Sequence, residues 1–117
     1  MSQQMEDNIK TFLAGADLEA YRRVKLNAGS GEAVVYAGDE EAFIGITQTK
    51  VLSGERVPVA LKTTGRTFKA VAASAISAGA SFYGAANGKI EGAGTVAQGR
   101  ALEAATADGD VIEVLPA

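Results

Sequence analysis

Ser53-Gly54-Glu55-Arg56-Val57-Pro58-Val59-Ala60-Leu61-Lys62 is the stretch on which the fold turns. Ser53-Gly54 opens it as a turn signal. Val57, Val59 and Leu61 then alternate with period two, so they share one face of an extended strand over 56–62. Pro58 sits inside that alternation; lacking an N–H it forfeits a ladder hydrogen bond, which predicts an edge position or a bulge. The same pattern returns near the C-terminus. Asp108-Gly109-Asp110-Val111-Ile112-Glu113-Val114 matches it in turn, acid and alternating apolar positions, and Ala33-Val34-Val35-Tyr36 matches Ala80-Ser81-Phe82-Tyr83. These echoes predict two similar β-units packed into one barrel or sandwich.

Working outward, further strands are expected at 20–26, 33–37, 42–48, 67–72, 80–84, 95–103 and 110–115. In the last, Ile112 and Val114 face one way and the other face is more polar. Asn87-Gly88 and Asp108-Gly109 are strong tight-turn signals between such runs. The alanine-rich 70–78 segment has a short helix as its alternative, because alanine is the best helix former. Short strands at close spacing point to a mostly β protein, a small β-sandwich or barrel-like domain with tight turns over 18–117. Residues 1–17 differ. Met5, Ile9, Phe12 and Leu13 are spaced by three or four, a helical stripe of about two turns that Gly15 stops. The expectation is an N-terminal arm that orders on meeting a partner surface, with a frayed terminus as the alternative.

Composition narrows the function. The chain has 117 residues, room for one domain, and its 47% hydrophobic and 21% charged residues mark it as globular. Histidine, cysteine and tryptophan are absent, which removes His- or Cys-based metal sites, thiol nucleophiles, disulfides and any His-centred triad. A net charge of −3 argues against a nucleic-acid partner. Alanine occurs 23 times and glycine 14 times, so little apolar area is available per residue and an isolated monomer is expected to be marginal. Self-association is the natural inference. No secretory signal opens the sequence. The 19 uncharged residues between Lys69 and Lys89 include Ser74, Ser77, Ser81 and Asn87, so they read as strand, turn and strand, with no membrane partner.

The motifs that would carry chemistry fail on spacing. Gly88-Lys89 is followed by Ile90, and Tyr83 stands where a P-loop needs its first glycine. Gly79-Ala80-Ser81-Phe82-Tyr83-Gly84 has one residue too many for a nucleophile elbow. Asp39-Glu40-Glu41 and the Asp108, Asp110, Glu113 set lack the spacing of a calcium loop and read as turn and strand-edge acids. In Arg22-Arg23-Val24-Lys25, alternation puts Arg23 and Lys25 on one strand face. That face suits either solvent or an acidic partner. No catalytic, cofactor-binding or metal-binding residue is expected.

From Phe43 onward the ordered set of turns resembles a family of small tailed-phage proteins that decorate or cement the capsid head. The features are Gly45-Ile46-Thr47, Ser53-Gly54-Glu55, Val57-Pro58-Val59, Ile76-Ser77-Ala78-Gly79-Ala80 with Phe82-Tyr83, Asn87-Gly88-Lys89-Ile90, the 99–105 run and Gly109 to Leu115. The resemblance implies a β-domain made in the host cytoplasm and carried on the outer capsid surface of the virion. It further implies a homotrimer bound to the major capsid protein, stabilising the shell against internal DNA pressure, with no enzyme activity and no cofactor. The alternative is another virion structural or adhesive β-module, at a fibre base or on the tail. For capsid binding the expected contacts are Met5, Ile9, Phe12 and Leu13 of the arm, with Arg23 and Lys25 as electrostatic partners.

Overall fold

The structure is a computed structural model, and it describes residues 9–27, 29, 31–62 and 67–116. Its strands are β1 (Ile9–Ala14), β2 (Arg23–Leu26), β3 (Ala33–Tyr36), β4 (Gly45–Thr47), β5 (Arg56–Leu61), β6 (Phe68–Val71), β7 (Ser81–Gly84), β8 (Ile90–Glu91), β9 (Gly99–Ala101) and β10 (Val111–Pro116). Every strand expected from alternation is present, and β1 and β8 are additional. The helical alternative for 70–78 fails: Val71 ends β6, and Ala72 and Ile76 make bridges to Ile90 and Ala105.

The first five strands close into a barrel in the order β1-β3-β2-β4-β5. All its pairings are antiparallel except β1 with β3, where Leu13 and Ala14 run parallel to Ala33 and Val34. Val57 and Val59 point inward as their alternation requires. They meet Phe12, Ala14, Leu18, Val24, Val34 and Val51 in a buried core.

Two expectations are corrected here. Residues 9–14 are a barrel strand, not a helical arm, and five of them pair with β5. Phe12 and Ala14, two apart, enter the core, while Ile9 packs against the neighbouring core. Apolar side chains on both faces of one strand imitate a helical three-or-four spacing. Met5 lies outside the described residues. Pro58, in turn, is neither at an edge nor in a bulge, because β5 lies between β1 and β4. Continuing the β4–β5 register opposes it to Gln48, whose N–H donates to the Pro58 carbonyl at 3.0 Å. The reciprocal bond that proline cannot make falls one residue beyond the end of β4.

The remaining strands form a sheet in the order β6-β10-β9-β7-β8. This is the barrel again. Taken from its first strand, each unit runs first, fifth, fourth, second, third; in the second unit the ring is closed only by a parallel bridge between Ala72 and Ile90. That bridge corresponds to Ala14 with Val34. The hydrogen bonds repeat too. Ala14 N–H donates to Glu55 O and Ala72 N–H to Asp110 O, both at 2.8 Å; Gly54 N–H donates to Ala14 O and Gly109 N–H to Ala72 O, again both at 2.8 Å. Leu18 and Val51 bridge as Ile76 and Ala105 do. Tyr21 (φ 61°) occupies the position of Gly79 (φ 82°), so a left-handed residue is built into the unit itself.

Eight core positions correspond between the units. Phe12, Ala14, Leu18, Val24, Val34, Val51, Val57 and Val59 of the first unit match Ala70, Ala72, Ile76, Phe82, Ile90, Ala105, Ile112 and Val114 of the second. The expected echo of 53–59 with 108–114 is therefore in true register. The echo of 33–36 with 80–83 is not: β7 is the counterpart of β2, and β3 corresponds to the two-residue β8. The second core is also not self-contained. It incorporates Ala37, Phe43, Ile46 and Ala60 from the outside of the first barrel.

Candidate interaction surface

Arg23 alternates with Val24 on β2, so with Val24 inside the barrel it projects outward, as sequence alternation predicts. It does not reach solvent. The β3–β4 loop and the second unit together bury it completely. Its Nε donates to Lys89 O at 2.9 Å, Nη1 to Glu41 O at 3.0 Å and Nη2 to Gly38 O at 3.0 Å and Ala85 O at 2.6 Å, with longer bonds to Ala37 O and to Gln98 Oε1. The acceptors come from the β3–β4 loop of one unit and from the β7–β8 turn and β9 approach of the other. A planar guanidinium with five donors suits such a cage as no ammonium would. Desolvation pulls its pKa down to about 10, opposed first by Glu41 and then by Asp39, Glu91 and Glu40. It is still charged at neutral pH. Gly84 leaves the space: a Cβ there would lie 2.8 Å from Nη1.

Arg23 is thus a bolt between the two units, and its expected role as a surface contact is corrected. Phe12 is likewise in the core, and Leu13 and Ile9 are half-buried. Lys25 alone of the expected charged pair is at the surface, 2.7 Å from Glu41 Oε2. The acids have local work. Glu41 is held below its usual pKa by the Lys25 hydrogen bond and the Gly38 N–H. Asp110 accepts from Thr106 and Ala107 N–H groups and the Thr106 hydroxyl, which lower its pKa. Burial, followed by Asp39, raises Glu91. Among the described residues no three acids are grouped to hold a metal ion.

The surface that sequence reasoning missed lies on the outside of the second unit. On β10, Ile112 and Val114 face the core, while the opposite face carries Val111, Glu113 and Leu115; it is polar only at Glu113. Leu102, just past β9, donates its N–H to Glu113 O and adds to the same face. Leu102, Val111 and Leu115 are 45%, 47% and 42% exposed, three of six large apolar side chains that stand open among the described residues. Arg100 and Lys69, opposite Leu115 and Glu113, complete the face. The signal was present as Val111-Ile112-Glu113-Val114-Leu115, a strand apolar on both sides. Next to this face a cleft of about 340 Å³ opens between the units, lined by Tyr21, Gln48, Thr67, Phe68, Lys69 and Glu113.

Against known proteins, a family model described as phage cement protein matches residues 3–116. Among solved structures, the base of the head fiber gp8.5 of bacteriophage phi29 superposes with a TM-score of 0.80 at 18% sequence identity, over 93% of this chain and 92% of that one. The likeness is one of fold. No curated relative matches.

Proposed function

The chain belongs to the phage cement protein family, and from that premise we propose that it binds the outer surface of the mature head as a homotrimer, bridging copies of the major capsid protein against the pressure of packaged DNA. A phage structural protein of the virion head needs rigidity and contact area rather than a reactive group. The family match along nearly the whole chain carries this reading. A closed barrel and its open twin fastened by a buried arginine support it, since a bridging element must transmit load without yielding. Affinity comes from many weak contacts engaged together, so loss of one anchor is amplified across an oligomer.

Of the residues first expected at the shell contact, Lys25 and Met5 are retained in this proposal. Binding of the purified chain to expanded empty heads, followed by imaging, tests it. Regular density at fixed lattice positions is the expected result; unbound protein beside bare heads overturns it. Deleting residues 2–8 leaves β1 intact and should weaken binding if Met5 takes part, whereas deleting 1–15 would remove a barrel strand.

A second reading is favoured by the likeness to the phi29 head fiber base: the chain anchors a fibre rather than sealing a lattice. Imaged particles would then carry density that continues outward from the domain.

A further inference from the structure

We infer that the outer face of β9 and β10 is a contact between copies of this chain. The inference rests on the homotrimer reading above and gives it an address. The duplication is the first argument. Positions 46 and 60 on the outer face of β4 and β5 are Ile46 and Ala60, fully buried against the second unit. Strand register makes Arg100 and Leu115 their counterparts. The same strand pair is therefore an interface in one unit and open in the other.

Side-chain chemistry on the open copy is the second. Where the first unit has Gln48, Arg56 and Ala60 at outward positions, the second has Leu102, Val111 and Leu115. Each polar or small residue has become a large apolar one, and all three stand exposed around Glu113. An apolar gain confined to one face of a β-unit marks a surface that is covered.

Charge selects the occupant. The face carries Arg100 and Lys69 alongside Glu113, whose carboxylate accepts from the Thr67 hydroxyl at 2.6 Å, and at its edge Glu103, whose carboxylate accepts from the Glu113 N–H at 2.7 Å: two cations and two carboxylates. Neither Arg100 nor Lys69 makes an ion pair among the described residues. Arg100 only donates to Gly79 O at 3.1 Å, and Lys69 lies over the Tyr21 ring. A face holding equal numbers of both signs is complementary to itself, so cations of one copy meet carboxylates of the next around an apolar centre. A partner of one dominant sign would leave half of these charges opposed.

The test is the mass of the full chain in solution over a wide concentration range, by light scattering and native mass spectrometry. Wild type is expected at a multiple of 11.9 kDa, and Leu102→Asp combined with Leu115→Asp at 11.9 kDa with its β-rich circular dichroism intact. Leu52→Asp, exposed on the first barrel, should keep the wild-type mass. If the aspartate pair does not fold, Leu102→Gln with Leu115→Thr makes the same measurement. A wild type at 11.9 kDa throughout overturns the inference, as does a folded double variant that keeps the wild-type mass. Binding to expanded heads separates the two proposals. A monomer that still coats heads defeats this contact and spares the cement reading; an intact oligomer of the double variant that no longer binds heads assigns the face to the shell and defeats the inference.

Discussion

The first unit is a closed barrel and the second is its open twin, yet pairing register, turn chemistry and the eight core positions are the same in both. The difference lies at one seam. In the first unit Leu13 and Ala14 pair with Ala33 and Val34; in the second only Ala72 reaches Ile90. Shortening of β1 from six residues to four in β6, and of β3 from four to two in β8, accompanies the gap. The second core compensates by recruiting Phe43, Ile46, Ala37 and Ala60 from its neighbour. Closure is thus not a property of the topology alone. A unit can leave its ring unfinished when another body covers its core and a cation pins the two together.

The pinning is where the comparison is easiest to break. Arg23→Met leaves the carbonyls of Ala37, Gly38, Glu41, Ala85 and Lys89 without their buried donor, and should cost about 3 kcal/mol or more in denaturant unfolding. Amides of 81–91 should lose hydrogen-exchange protection before those of β5, because the open unit has no closed ring to hold it once the bolt is gone. Equal protection loss in both units would contradict that dependence.

A paired cavity test is next. Leu18→Ala and Ile76→Ala delete side chains at equivalent core positions, each expected to cost about 2–5 kcal/mol. Similar losses are expected, since Leu18 and Ile76 are both buried. A markedly smaller loss at Ile76 would mean that the open unit relaxes around the void.

Acid stability provides the mildest probe. Glu41 and Asp110 are held below the usual carboxylate range in the folded chain, so the unfolded chain binds protons first as pH falls. Their stabilisation is present above those values and is lost as pH drops through the folded ones. Glu91, raised by burial and Asp39, acts with the opposite sign and gains on protonation. Asp110→Asn should lower the melting temperature by a few degrees at neutral pH and flatten its decline into acid. A decline unchanged from wild type would remove Asp110 from this account. Glu55, which accepts from Leu52 N–H in the equivalent turn, is the internal control.

How much could be read from residues alone follows the same division. Turn glycines and alternating valines reported both copies of the fifth strand in register, because glycine at positive φ and period two are local requirements. β8 is invisible in the sequence because two residues are too few to show a period, and the aromatic 80–83 run imitates it as the echo of 33–36. β1 was misread because a strand with apolar side chains on both faces has no clean alternation. Arg23 was illegible for a different reason: side-chain type says surface, and only tertiary placement supplies the ring of carbonyls that lets a guanidinium stay buried. The exposed side of β10 lay in plain view as two extra apolar residues, but without the fold nothing distinguished it from core.

The two units place their inward phenylalanines differently, Phe12 on β1 in the first and Phe68 on β6 with Phe82 on β7 in the second, and this has a consequence for how the chain avoids misassembly. Twin β-units on one chain invite strand exchange during folding, since β6 offers β5 nearly the same backbone partner that β1 does. Phe12 of the first unit corresponds to Ala70 of the second, Val24 to Phe82 and Lys10 to Phe68. A swapped β6 would therefore leave a hole where Phe12 packs, and a swapped β1 would crowd Phe12 against Phe82 and bring Lys10 to the place of buried Phe68. Each error carries a packing penalty of one to several kilocalories, and the correct pairing is selected by size.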